Sequence, residues 1–252
     1  MKRLLIVEIK RMLARRLLRV FAILAVIGVA LAGVLAYVNA DSETPFRITD
    51  LSWIIPATNG QLSIVMFLLG ASFIGAEWRS GSITTSLTWE PRRVRVFFAK
   101  SFACVLVVSA MILAVSLLVG LALLPMMLFK GSTEGVDAAW MAELAGGTLR
   151  SVALTAFAAG LGFSIGSIGR NTAAALGTGF IYLAVIEGLL RSWRPGWAMW
   201  LLGDNAGVFL SGEGQETLYA SRSILEAGLI MLCYLSALLL AGVILFKKRD
   251  VT

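Results

Sequence analysis

The stretch Gly162-Phe163-Ser164-Ile165-Gly166 carries the G-x-S-x-G spacing that sets a serine nucleophile on a tight turn. A serine hydroxyl attacks only when a base takes its proton, and histidine, the usual base, occurs nowhere in the 252 residues. A Ser-Lys pair would need a lysine inside an apolar run, and none of the runs holds one. Ala158, Gly162 and Gly166 recur every four residues, which reads instead as a face where two helices pack closely. Intramembrane proteolysis is therefore disfavoured. The missing histidine also removes histidine-based zinc sites and proton relays. Cys104 and Cys233 each sit in an apolar run and read as packed thiols rather than a disulfide pair. The chain is expected to have no catalytic residues and to hold no metal or cofactor.

What remains is where a strongly apolar chain places its few charges. Hydrophobic residues make up 58% of the chain and charged residues 15%, against roughly a quarter charged in soluble domains. Uncharged runs near twenty residues predict membrane spans. Six can be drawn: Val20–Val38, about Ala57–Ala76, Ser101–Phe129, Ser151–Gly169, Thr172–Leu190 and about Ala227–Phe246. Pro56 and Gly60 set the start of the second. The third, at roughly 43 Å of helix, exceeds a hydrocarbon core of about 30 Å and is expected to tilt or project. Arg170-Asn171 forms a tight turn between the fourth and fifth, and Lys247-Lys248-Arg249 stops the sixth. The expected fold is all-α, one polytopic domain over residues 1–252. The Met-Lys-Arg start matches the charged opening of a signal peptide. Charges continue to Arg19, however, and no small-residue cleavage site follows Val20–Val38, so a retained anchor is expected.

With both termini in the cytoplasm, segments 1–19, 77–100, 170–171 and 247–252 hold 16 of the 22 basic residues and 4 of the 15 acidic ones. This positive-inside bias predicts a multi-pass protein of the inner or plasma membrane with both ends cytoplasmic. Within 1–19, Ile9, Leu13 and Leu17 share one face and Arg11, Arg15 and Arg19 another. That pattern predicts an amphipathic interface helix lying along the anionic inner leaflet. It reads either as a seat for a cytoplasmic partner or as an anchor that sets topology. The extracytoplasmic segment 191–226 is Trp-rich at its start (Trp193, Trp197, Trp200). It is too short in its apolar part to cross, and is expected to dip into the outer leaflet.

The loop 77–100 packs seven charges into twenty-four residues between two apolar runs. Ser80 or Ser82 is placed to cap a short helix beginning near Gly81. Ile83 and Leu87, four apart, would then form a small apolar knob facing the cytoplasm, flanked by Thr84, Thr85 and Ser86. Pro91 ends the element and suits the first turn of the next helix, with Arg92, Arg93 and Arg95 marking the membrane surface. Such a loop is either an ordinary basic connection or a device that passes movement from a docked protein to the spans.

The order Glu77, Gly81-Ser82, Leu87, Pro91, Arg93 and Ala99-Lys100 resembles the hallmark loop of the ABC-2 type transporter permeases. There an acidic residue closes the second span, a Gly-Thr or Gly-Ser pair opens a coupling helix, and a Pro-x-Arg stretch leads through Ala-Lys into the third. The resemblance extends to the basic start, the six spans, the Arg-Asn turn and the outer segment. It implies the membrane half of an exporter in the drug- and antibiotic-efflux-like branch, paired with a second permease as a homodimer or heterodimer. Two separate ATP-binding subunits would carry ATP and Mg2+, and each would grip a coupling helix. Glu77, Gly81, Ser82, Ile83, Thr84, Leu87, Pro91 and Arg93 would carry that coupling, and the helix bearing Arg11, Arg15 and Arg19 would also touch the ATPase. Membrane lipid is the surrounding partner, and nucleic acid is not expected.

Leu210-Ser-Gly-Glu-Gly-Gln215 imitates the signature of the ATP-binding subunits with one extra residue. The chain lacks a phosphate loop, so no ATP site is expected here. Glu187 is the one acid well inside a predicted span. It reads either as a polar contact lining an export path or as an outer-end pair with Arg191 one turn on. An ion-driven secondary transporter, which would want several buried carboxylates, and a non-transporting membrane scaffold are the alternatives.

Overall fold

The computed structural model describes residues 2–39, 46–217 and 220–248; Arg249 of the closing basic cluster and residues 218–219 of the outer segment lie outside them. The chain opens with α1 (Lys2–Leu13), breaks at Ala14-Arg15 and continues as α2 (Arg16–Asn39). A two-residue strand β1 (Phe46–Arg47) and a 3-10 turn (Ile48–Asp50) lead into α3 (Leu51–Arg79). Next come α4 (Ser82–Trp89), α5 (Arg93–Lys130), β2 (Gly131–Ser132), which pairs with β1, and α6 (Ala138–Gly169). After the turn, α7 (Thr172–Phe180), a π-helical stretch (Ile181–Ile186) and α8 (Glu187–Trp193) follow without a break. A 3-10 turn (Pro195–Trp200), α9 (Leu202–Ser211) and the hairpin β3 (Gln215–Thr217) and β4 (Ala220–Arg222) precede α10 (Ile224–Lys248).

Six helical segments are long and apolar enough to cross a membrane, in the order read from the sequence. Their bounds differ where neighbours override local signals. The second starts at Ile48, and both Pro56 and Gly60 lie inside α3. Proline frees the Ser52 carbonyl, and Gly147 of α6 packs against that carbonyl and the Pro56 ring, so the notch is filled from across the seam. The fourth starts at Ala138 because Asp137 accepts a hydrogen bond from the Trp140 backbone at 2.7 Å and caps the helix. The third runs 38 residues as α5, about 57 Å of helix, well beyond a hydrocarbon core of about 30 Å.

The α3–α6 pair is the spine. A Cβ on Gly162 would collide with the Phe67 carbonyl, and one on Gly70 with the Ala159 carbonyl, so the two backbones approach as only glycine allows. Ser164 is fully buried there and donates to the Gly160 carbonyl of its own helix at 2.7 Å. In the most apolar window of each span, 72% of α6 is buried but only 6% of α2, so α2 is peripheral. At one end of the bundle, Arg11 donates to Ser86, Arg79 to Asn171 and Arg93 to the Lys247 carbonyl, at 3.1, 3.2 and 3.2 Å. These bonds gather α1, α4, the 170–171 turn and the close of α10 into a single basic end.

Candidate functional site: a buried charge relay at the basic end

Lys100, eight residues into α5, is fully buried, with Nζ 2.8 Å from Glu8 Oε2 and 2.7 Å from Glu77 Oε2. Glu8 in turn takes Arg11 at 3.1 Å, and Glu77 takes Arg15 at 3.3 Å. Arg15 also donates to the Ser72 and Phe73 carbonyls at 2.9 and 2.7 Å, with its guanidinium 4.8 Å above the Phe73 ring. Three cations and two anions thus run in a row from α1 through α5 to the close of α3. Burial pulls the Arg15 guanidinium below its ordinary pKa while the attraction of Glu77 opposes that shift. Arginine remains charged.

Helix periodicity explains how α1 supplies its share. Glu8, Arg11 and Met12 recur at three- and four-residue spacing within α1 and face one way, while Arg15 lies in the break that follows. This face, with Glu8 and Met12 buried, is the one turned into the protein. Of the apolar residues on the other face, Ile9 packs against the core, whereas Leu13 and Leu17 are 50% and 38% exposed. The three arginines expected on one polar face of a helix over 1–19 go three ways instead. Arg11 reaches α4, Arg15 points inward, and Arg19 lies beyond the break, exposed, donating to the Ala14 carbonyl at 3.2 Å. The reason is the break at Ala14-Arg15, which takes Arg15 off the α1 face and lets it reach Glu77.

The helix α4 forms as expected, but its details differ. Its N-cap is Gly81 at φ +69°, a left-handed conformation that favours glycine, and neither Ser80 nor Ser82 caps it. Ser80 donates to the Ser82 hydroxyl at 3.0 Å, and the Thr84 hydroxyl donates to the Gly81 carbonyl. Ile83 is 1% exposed and belongs to the apolar cluster of Met12, Phe97 and Phe246, with Leu87 packed beside it. The knob therefore faces the spans and fastens α4 to them. The outward face is Ser82, Thr85, Thr88 and Trp89, and Trp89 is 87% exposed. Pro91 lies in the link before α5 rather than in its first turn, and Arg93 opens α5 while bonding to α10.

Charge-assisted bonds run from α4 through Arg11 to Glu8, and from there to the ends of α3 and α5. Among the described residues no cluster of His, Cys, Asp or Glu could hold a metal ion.

At the far end Glu187 is 3% exposed and covered by the first turn of α9, where its Oε1 accepts the Gly203 N–H at 2.8 Å. An anion there suits the helix N-terminus. Arg191 lies 3.9 Å from Glu187 and 3.0 Å from Asp204, so the one-turn pair exists but is shared. Asn205 and Arg222, both buried, bond to each other at 3.1 Å and fasten the outer segment.

Glu8, Trp89 and Asn59 were not singled out by sequence reasoning. Glu8 did carry a signal, as the lone acid among the first nineteen residues, and Asn59 as an amide inside a predicted span. Trp89 carried none apart from its place in the loop.

Fold and site together define an all-α, multi-pass membrane protein organised around a charged junction. Residues 16–252 match the model of the family described as a protein of unknown function, DUF2705, and the chain belongs to that family. No curated protein matches the sequence.

Proposed function

We propose that the chain is the membrane subunit of an ATP-driven exporter of the ABC-2 type, paired with a second permease and coupled to two separate ATP-binding subunits that carry ATP and Mg2+. The observation that carries this reading is α4: a helix between two spans, fastened inward by Ile83 and presenting Trp89 outward. The concentration of basic residues at that end supports its placement in the cytoplasm. In this reading ATP-driven closure of the partners displaces α4, and the Arg11–Glu8–Lys100–Glu77–Arg15 series passes the displacement to α1, α3 and α5. The spans are apolar, which suits amphipathic cargo such as a drug, an antibiotic or an antimicrobial peptide.

The test is reconstitution of the chain in liposomes with a candidate ABC ATP-binding subunit, reading ATP turnover and cargo efflux together. Trp89→Ala is expected to weaken assembly roughly thirtyfold, as for a docked aromatic anchor, while membrane insertion is unchanged. Efflux driven by an ion gradient without any ATPase would make the chain a secondary carrier. Absence of both assembly and transport would leave a scaffold.

A further inference from the structure

Between α2, the first half of α3 and the second half of α5 lies a cleft of about 630 Å3, within the range of small-molecule sites. Gly28 and Ala32 of α2, Thr58 and Leu62 of α3, and Val119 and Met126 of α5 line it. Among the described residues, Thr58 supplies the only hydroxyl on its walls. Two glycines define its shape. A Cβ on Gly33 would meet the Ala122 carbonyl at 2.6 Å, so there α2 touches α5. One on Gly28 would meet nothing within 4 Å, so there α2 stands away and the space opens.

We propose that this cleft holds one acyl chain of a bilayer phospholipid. The proposal rests on the membrane assignment and not on the export reading. The lining on α2 runs from Phe21 to Ala36, about 22 Å along the helix axis. All the lining residues except Phe46 of β1 belong to helices long and apolar enough to cross a membrane, so what reaches the cleft is hydrocarbon. Water has almost no polar partners there and gains nothing by entering. A helix from a second copy fits poorly: one of that length and about 10 Å across occupies on the order of 1,700 Å3, more than the roughly 1320 Å3 left unfilled by atoms there. A single flexible chain is thin enough and long enough, and its methylenes gain contacts that no other occupant at that depth offers.

A phosphatidylglycerol carrying a photoactivatable diazirine in its acyl chain, mixed into vesicles with the full chain, tests this. Adducts are expected on the peptides bearing Gly28–Ala36 and Val115–Met126. Gly28→Phe and, separately, Ala32→Phe fill the space and are expected to lower labelling there roughly tenfold, the equivalent of losing about two buried methylene contacts. Val34→Phe, on the outward side of α2 and already 60% exposed, should leave it unchanged. Labelling that ignores Gly28→Phe and Ala32→Phe overturns the proposal. So does a disulfide between two copies carrying Gly28→Cys in a background with Cys104 and Cys233 replaced by serine, since a second copy would then be the occupant.

Discussion

Lys100 joins α5 to Glu8 of α1 and Glu77 of α3; Asn59, nearer the opposite end, joins α3 to Ser116 of α5 and Ser151 of α6 at 2.8 and 2.9 Å. Each ties three helices through one fully buried side chain. They differ in what removal leaves behind. Ser116 and Ser151 each donate to a carbonyl of their own helix, Ile112 at 2.9 Å and Thr148 at 2.8 Å, so they stay satisfied without the amide. Glu8 and Glu77 have no such fallback: without Lys100 two buried carboxylates face each other, each with a single arginine. A neutral knot adds a modest increment to packing, whereas a charged one holds as a set or fails as a set.

The widest separation is expected from Lys100→Met, which strands two buried anions and should cost about 3–5 kcal/mol, read from unfolding in detergent. Adding Glu8→Gln and Glu77→Gln to that variant should recover more than half of the loss, because neutral groups in the same space need no counterion. A triple variant as unstable as the single would show that packing around Lys100, and not charge, matters. Asn59→Ala should cost only about 0.6–1.7 kcal/mol in the same measurement. A loss as large as that of Lys100→Met would erase the contrast. Smallest is Trp89→Ala, expected within about 0.5 kcal/mol of the parent because the ring touches little, so any effect on partner binding is a docking effect. Ile83→Asp cannot serve that purpose, since it buries a charge in the core and unfolds the site it would probe.

The region around α4 shows which parts of a site a linear pattern reveals. Glu77, Gly81 and the helix after it were legible because turn chemistry and charge runs are local. The inward turn of Ile83 was not, because a four-residue apolar spacing gives a face but not its direction. Arg15 misled for a related reason. Arginines every four residues share a helical face only while the helix continues, and it breaks at Ala14-Arg15.

The number and order of the spans, the closeness of the Gly162 face and the absence of histidine chemistry were fixed by composition and periodicity. These are properties of short stretches, which the bilayer reads much as a hydropathy scan does. The meeting of Glu8 with Lys100, 92 residues on, and the open space beside Gly28 were decided by tertiary packing alone. Each depends on the path of other helices: a carboxylate seeks whatever cation the fold delivers, and a glycine faces a wall or a void according to how far the next helix stands off.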